Sequence, residues 1–541
     1  MAAKRTIITD DQLFEAQMRR MKPCFLAEEN EFAQCATNAE RINFFFNDEQ
    51  EVAHLSSELS RVLPHASKSN EKAITCRKDG NNLFGAEKYE EALKLYTESI
   101  SWAEGEEEAS FAYGNRSAAL IAMGLFQECL TDIERALQSG YPVNMRDKLF
   151  TRKEKALEAL KDSVPKVKAY EIPQSEKNDK IQSARNCIEL KTDEKYGRHI
   201  IATRDIKIGE ILVVEKPYVV VLQPDRYSKP SCFCYGCLVF CYNPIPCTKC
   251  HKRLYCSETC REKDFQTYHK HECLILPFID QFMYLTDYWL LALKITLVAM
   301  NDENNTEPGY RSDRYKEVKE LRTHRAECTL EKMYLLSLFS TKLFVLLREK
   351  STLFEEISGR EEIFKELYFC NLLMSKINCI GMEDWYSHSK YESPMYGTGL
   401  FPLFSMFNHS CYPNTTWTYC GSTMIIRAYS PIKKGEQCFV SYGITFSEHD
   451  LKYRQERLQS LFKFTCTCKA CKENWPVSTS RQMDWTFNKE SITKLKENIE
   501  ELTDKQAIPP SEETLRLRYI VRKIFAALDE EGQLGCDPTI K

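Results

Sequence analysis

Eight soft metal ligands stand within one short stretch of this chain, in the order Cys234-x2-Cys237-x9-Cys247-x2-Cys250-x5-Cys256-x3-Cys260-x8-His269-x3-Cys273. A Cys-x2-Cys pair sits on a tight knuckle that aims both thiolates at one ion, and a Cys-x3-Cys or His-x3-Cys pair on a helix points to one face. Eight such ligands suit two tetrahedral zinc sites. Pro244, Pro246, Lys249 and Lys252 leave too little apolar material between them for an ordinary core, so metal must hold the segment together. Cys232, Cys241, His251 and His271 are spare. Full protein ligation leaves no open position for catalysis, which makes both sites structural. Further on come Asn408-His409-Ser410-Cys411-Tyr412-Pro413-Asn414, Lys434-Gly435-Glu436, Val440-Ser441-Tyr442-Gly443 and Phe464-x-Cys466-x-Cys468-x2-Cys471. Singly, an Asn-His pair is more often a polar turn and a Tyr after a β-run is usually core. The three thiolates Cys466, Cys468 and Cys471 are one ligand short of a tetrahedron.

These residues must be positioned by a chain of 541 residues, enough for roughly three to four domains. Lys plus Arg is 74 and Asp plus Glu is 78, a net charge of -4 that gives no global basic field for nucleic acid. Lys249, Lys252 and Arg253 are a small basic group with no repeated base-reading module, so direct nucleic-acid contact is not expected. The longest apolar run, Tyr288 to Met300 with Lys294 inside it, falls short of the roughly 20 residues of a membrane span, so a soluble protein with no membrane contact is expected. Met1 to Thr9 has no apolar signal core, and the 24 cysteines are expected in a reducing compartment, in both cytoplasm and nucleus.

Met1 to Asn70 reads as helical, with no legible function. From Ala73 to about Leu160 amphipathic helices repeat: Ala92, Tyr96 and Ser99 align with Cys129, Ile133 and Ala136 at an offset of 37. A 34-residue helical-hairpin period with three residues inserted in the acidic turn Glu104 to Glu108 explains it, and Met145 to Leu160 caps the stack. Lys161 to Ser183 reads as a linker. Cys187 to Leu222 reads as short strands, Leu274 to Met382 as mainly helical, and Leu400 to Tyr442 as strands and turns again. The tail from Ser478 reads as two helices separated by Pro509 and Pro510, with Ser511 as an N-cap.

Three resemblances follow. Gly80, Ala92 and Tyr96, then Asn115, Arg116, Gly124 and Ala136, resemble the tetratricopeptide pattern. The first cysteine cluster resembles the MYND finger, whose cross-braced topology implies pairing of Cys234 and Cys237 with Cys256 and Cys260, and of Cys247 and Cys250 with His269 and Cys273. The downstream motifs, with Lys195-Tyr196-Gly197-Arg198-His199 before them, resemble a SET domain with post-SET cysteines, and that resemblance supplies Cys411 as the fourth ligand beside Cys466, Cys468 and Cys471. The chain is thereby identified as a member of the SET-and-MYND methyltransferase family over about Ile188 to Glu473, in its tetratricopeptide-bearing branch. Where the family usually has Gly-x-Gly, this chain has Gly197-Arg198-His199, and only about 70 residues follow Cys471.

The implied fold class is α+β and multidomain. A helical segment covers 1–70, tetratricopeptide repeats 71–163, a linker 164–185, and the first half of a β-rich SET fold 186–233. A MYND zinc finger at 234–273 and a helical insert at 274–399 split that fold, and its second half (400–445), a zinc-bound post-SET segment (446–475) and a short helical tail (476–541) follow. The resemblance implies a protein-lysine N-methyltransferase acting on histone or non-histone lysines, with S-adenosyl-L-methionine as cofactor and three zinc ions. Tyr442 is implied as the catalytic residue, orienting the amine at the mouth of a lysine channel. Tyr196, Gly197 and Arg198 are implied at the methionine end of the cofactor, Asn408, His409 and Ser405 near the adenine portion, Phe464 stacked on the adenine ring, and Asn378 and Tyr315 as further contacts. Likeness to tetratricopeptide domains that hold chaperone tails implies a carboxylate clamp of Arg77, Asn81, Asn115, Lys148 and Arg152; otherwise these are a solvated basic face. A histone deacetylase or other repressor is the implied partner of the finger. The other reading is an adaptor in repressor or chaperone complexes whose SET core is a weakly active scaffold.

Overall fold

The structure is a computed structural model that describes residues 10–60, 68–161, 171–222, 233–279, 287–301, 310–383, 395–478, 499 and 510–530. The chain forms two compact units, each assembled from three stretches. The first comprises Met1–Pro165, Val221–Val298 and Cys328–Cys370, and the second Lys166–Val220, Ala299–Glu327 and Asn371–Lys541. No described helix is long and apolar enough to cross a membrane.

In the first unit, helices α1 (Asp10–Phe32), α2 (Asn38–Phe46) and α3 (Glu49–Ser60) answer the question that the opening residues leave in sequence. The helix Leu330–Lys350 is apolar on every side, with a nearly unbroken buried run from Met333 to Leu347, and such a helix needs cover all round. Phe25, Phe32 and Phe45 supply part of it, their rings 5.4, 5.2 and 4.9 Å from that of Tyr334. Thr37 starts α2 with a reciprocal capping box to Glu40, and Glu366 accepts from the backbone and side chain of Asn38 at 2.8 Å each.

Helices α4 (Asn70–Gly85), α5 (Tyr89–Trp102), α6 (Glu106–Ala122) and α7 (Phe126–Gln138) pack as two successive hairpins, with α8 (Asp147–Lys161) against α7. The hairpins close tightly at Gly80, where an added Cβ would lie 2.7 Å from the Tyr96 ring. Arg116 and Asp132, both fully buried, pair at 2.6 Å, and Arg116 also donates to the Pro244 carbonyl at 2.9 Å. Arg135 donates to the Asn243 carbonyl at 2.7 Å, and the ring of the spare His251 stacks on Trp102 at 3.6 Å. The helical array thus grips the cysteine-rich module at two loops. Among its described residues the module has the two-residue ladder of Ile245–Pro246 with Leu254–Tyr255, the helix Glu258–Asp264, one π-turn over Phe265–His269 and the helix Lys270–Ile279. Lys294, the charge inside the apolar run, is buried against Asp264 at 2.7 Å.

The second unit is built from short strands. Ile188–Asp193 and Gly197–Ala202 form an antiparallel hairpin whose turn needs the positive φ of Gly197, 64°. Ile211–Glu215, Thr423–Ala428 and Thr415–Cys420 form one antiparallel sheet, and Val219–Leu222, Met395–Leu400 and Cys379–Glu383 form a second three-stranded sheet in that order. Asn408–His409 pairs in parallel with Phe439–Val440. One expectation changes here. From residue 171 the expected linker is docked rather than free: Asn178 Oδ1 caps the N–H groups of Lys180 and Ile181, Ile181 and Ala184 are buried, and Arg185 N–H donates to Leu212 O at 2.8 Å. Of the two tail helices, the second is Glu512–Glu530, started by the Ser511 hydroxyl accepting from Thr514 N–H at 3.2 Å, while the first falls outside the described residues. Leu517, Val521, Ile524 and Phe525 give the C-terminal helix an apolar stripe that packs with Ile208.

Asp132→Ala leaves a fully buried guanidinium unpaired, and its expected cost is about 3–5 kcal/mol in urea unfolding. A cost below about 1 kcal/mol would mean that Arg116 finds other partners.

Candidate active site and metal centres

Three groups of four soft ligands converge: Cys234, Cys237, Cys256 and Cys260; Cys247, Cys250, His269 and Cys273; Cys411, Cys466, Cys468 and Cys471. Within each group the ligand atoms lie within 4.8 Å of one another. Zn–S bonds of about 2.3 Å give a tetrahedron with edges of about 3.8 Å. Cys237 and Cys256 are 3.6 Å apart, Cys256 and Cys260 3.5 Å, Cys411 and Cys471 3.4 Å, and Cys411 and Cys466 4.0 Å. Donor type and spacing therefore fit zinc at all three. Of the spare residues, Cys241 lies 3.5 Å from Asn243 Oδ1, His271 lies 3.4 Å from Glu356, and Cys232 falls outside the described residues.

The third cluster is folded around by buried groups. Arg454, fully buried, donates to the carbonyls of His449 and Ala470, and the Gln455 amide exchanges two hydrogen bonds with the Cys466 backbone. Beside it a cavity of about 1440 Å³ opens. Tyr196, Gly197, Arg198, Asn378, Ser405, Asn408, His409, Tyr442 and Phe464 all line it. Tyr315 does not: its hydroxyl donates to Asn371 at 3.0 Å, and its ring lies 6.5 Å from that of Tyr218. Asn378 lines the wall with its amide already committed, donating to Arg322 O at 2.8 Å and Met374 O at 3.0 Å. His199 is not among the lining residues; its ring is buried, with Nδ1 2.9 Å from the Gly197 carbonyl. The side chain replacing the family's second glycine thus leaves the cavity clear.

The parallel pairing of Asn408–His409 with Phe439–Val440 makes the site. It brings His409 under Tyr442, whose backbone N–H donates to His409 Nδ1 at 3.1 Å. An imidazole that accepts at Nδ1 carries its proton on Nε2, and Nε2 lies 3.4 Å from Cys411 Sγ. Burial lowers the His409 pKa to about 4, so the ring stays neutral. The Tyr442 hydroxyl donates to Phe407 O at 2.9 Å, and burial pushes its phenol well above the usual range. Phe462 and Phe464 flank Tyr442 with ring distances of 4.8 and 6.4 Å. Asn408 donates to Tyr196 O at 3.2 Å and Gln437 Oε1 at 3.0 Å, which ties the glycine hairpin to this strand pair.

Sequence reading missed several wall residues. Glu320, Arg322, His324 and Glu327 come from the loop that Asn378 anchors, and Trp417 and Tyr419 come from alternate positions of a strand, a spacing that was legible. Glu215 was also missed. Fully buried at the end of its strand, it accepts from Ser312 Oγ and from the N–H groups of Leu403 at 2.7 Å and Phe404 at 2.9 Å, fixing the turn that leads into Asn408 and His409.

The five clamp residues lie on α4, α6 and α8 with partners of their own. Arg77 pairs with Glu108 at 3.1 Å, and Asn81 Oδ1 accepts from Tyr96 and from Asn115 at 3.0 and 2.8 Å. Arg152 donates to Gly114 O and Ser117 Oγ, and Lys148 sits 5.5 Å over the Tyr141 ring.

Burial raises the Glu215 pKa from 4.5 to about 7 against the lowering effect of its three donors. A raised folded-state pKa contributes stability that is full below the unfolded value and lost as pH rises through the folded one. Wild-type stability is expected to fall by up to about 3 kcal/mol between about pH 5 and pH 8, and Glu215→Gln to flatten that fall. Equal falls in urea titrations of both proteins would reject this assignment.

The SET domain family profile matches residues 197–443. The protein-lysine N-methyltransferase SMYD4 of Mus musculus is 24% identical over 559 residues, spanning 78% of this chain and 69% of its own. SMYD4 of Danio rerio is 24% identical over 511 residues, 77% of this chain and 68% of its own, and N-lysine methyltransferase SMYD2-B of Xenopus laevis is 26% identical over 282 residues, 51% and 58%. The SET match covers both the glycine hairpin and the strand pair that carries Tyr442, and the similarity through most of the chain is to SMYD4 proteins.

Proposed function

We propose that the protein is a protein-lysine N-methyltransferase. The observation that carries this reading is the convergence of Tyr442, His409, Asn408 and Phe464 on one cavity beside a zinc-type cluster, inside a chain whose relatives bear that name. The residues present fit S-adenosylmethionine: an aromatic ring at Phe464, polar groups at Asn408, Ser405 and Tyr196, and volume for a cofactor and a lysine side chain together. Bound there, the cofactor supplies an electrophilic methyl group on a sulfonium.

The chain's own residues do the rest. The Tyr442 hydroxyl spends its proton on the Phe407 carbonyl, so its oxygen lone pairs are free to accept from a lysine amine and hold it in line. Aromatic walls at Phe462, Trp417 and Tyr419 exclude water, which favours the neutral amine over an ammonium whose unperturbed pKa is about 10.4. The phenol does not ionise near neutrality, so Tyr442 orients and does not act as a base. The three clusters take zinc as structural ions, the first two as a MYND finger and the third as the post-SET site.

The helices α4–α8 are read as tetratricopeptide repeats that recruit a partner bearing a C-terminal carboxylate, which competes with Glu108 for Arg77. A free-acid peptide ending in Asp is expected to bind and its amidated form not to, with Lys148→Ala weakening binding about tenfold. Equal binding of both peptides would remove the clamp.

Incubation of zinc-loaded protein with radiolabelled S-adenosylmethionine and cell lysate is expected to label protein bands, reduced on the order of 10²-fold in Tyr442→Phe. Confirmed cofactor binding with no difference between the two proteins would turn the reading to an adaptor with a SET scaffold.

A further inference from the structure

The first two metal clusters are separate in their ligands but share a buried polar bridge. Tyr235 stands between Cys234 and Cys237 of the first cluster and is 1% exposed. Its side chain leaves that knuckle and its hydroxyl donates to Glu272 Oε1 at 2.5 Å. Glu272, fully buried, directly precedes Cys273 of the second cluster, and its Oε2 lies 2.7 Å from His269 Nδ1. A carboxylate facing Nδ1 keeps the imidazole proton there, which leaves Nε2, 3.5 Å from Cys250 Sγ, as the metal-facing atom. Arg253 closes the bridge: it donates to Glu272 at 2.7 and 3.3 Å, its guanidinium lies 4.1 Å over the Tyr235 ring, and its carbonyl accepts from Cys247 N–H at 2.8 Å.

The bridge has no slack. Tyr235, Glu272 and His269 are buried and the Arg253 side chain is 14% exposed, and the loss of any donor leaves a buried carboxylate short of a partner, which is costly at low dielectric. An empty first site frees the knuckle that holds Tyr235. Glu272 then loses a donor, and His269 loses the partner that fixes its ring. The effect runs equally in the other direction, since coupling between two binding equilibria is reciprocal.

We propose that Tyr235 and Glu272 couple the two sites of the cysteine-rich module, so that zinc in either one raises the affinity of the other. Glu272 acts as a positioning residue for His269, and Tyr235 carries the effect between clusters without being a ligand of either. The inference rests on the zinc reading of both clusters.

The test titrates full-length protein against buffered free zinc and counts bound ions by atomic emission, with the third cluster as an internal control. Wild type is expected to release two ions in one steep step and the third separately. Tyr235→Phe keeps all eight ligands and is expected to split that step into two, with midpoints about tenfold apart or more and the third unmoved. Glu272→Gln is expected to weaken the second site by about 10–100-fold, the usual effect of removing such a partner, and the first site with it. An undivided step in Tyr235→Phe, or a Glu272→Gln effect confined to the second site, overturns the coupling while leaving the zinc reading intact. Wild type that binds fewer than three ions per chain overturns the zinc reading and the coupling together. Should Tyr235→Phe fail to fold, seen as a shifted midpoint at the third cluster, the Glu272→Gln arm decides alone.

Discussion

The active centre depends on the orientation of one neutral imidazole. His409 accepts from the backbone of Tyr442 on one side and faces the Cys411 sulfur on the other, so a single buried ring connects the tyrosine at the cavity to the cysteine cluster beside it. The contact exists because two strands of two residues each pair in parallel, a pairing that short connections cannot make. Glu215 holds the turn before one strand, and Asn414 holds the other through the Gln437 carbonyl and the Phe439 N–H. Protonating His409 would put a charge in a buried site and remove its acceptor, and burial holds its pKa at about 4.

Buried polar groups also organise the first unit around its cysteine-rich module. Arg116 with Asp132 and Lys294 with Asp264 each bury a full ion pair, and Arg253, partly exposed, pairs with the buried Glu272. Such pairs add little net stability over apolar residues of the same size, but breaking one is expensive, so they penalise alternative arrangements. Arg116 shows the use: its guanidinium is shared among Asp132, Thr97 and the carbonyl of Pro244, which fixes the cysteine-rich module on the helical array in one position.

Where the chain departs from the Gly-x-Gly of the family it resembles, neighbouring geometry absorbs the change. His199 replaces a glycine, yet its ring bonds back to the Gly197 carbonyl and lies 3.7 Å from Asp193, outside the cavity lining. Asn378 keeps its place on the wall but spends both described donor contacts on carbonyls, which makes it the anchor of the loop bearing Glu320 to Glu327.

The ligand spacings, the helices between Ala73 and Leu160, the strand-rich segment after Cys187 and the residues around Tyr442 were all legible in the amino-acid sequence. They are local, since knuckles, helix faces and strand alternation are properties of a few consecutive residues. The role of residues 10–60 was not legible, because the helix they cover is Leu330–Lys350, far along the chain. Nor was Glu215, a carboxylate in an apolar strand whose three donors come from residues 312, 403 and 404. Tyr315 read as a cavity residue by its motif, and only packing turned it to Asn371. Sequence marked which groups are candidates for chemistry. Tertiary structure alone decided which of them meet, because hydrogen bonds and burial between distant segments are set by how the whole chain closes.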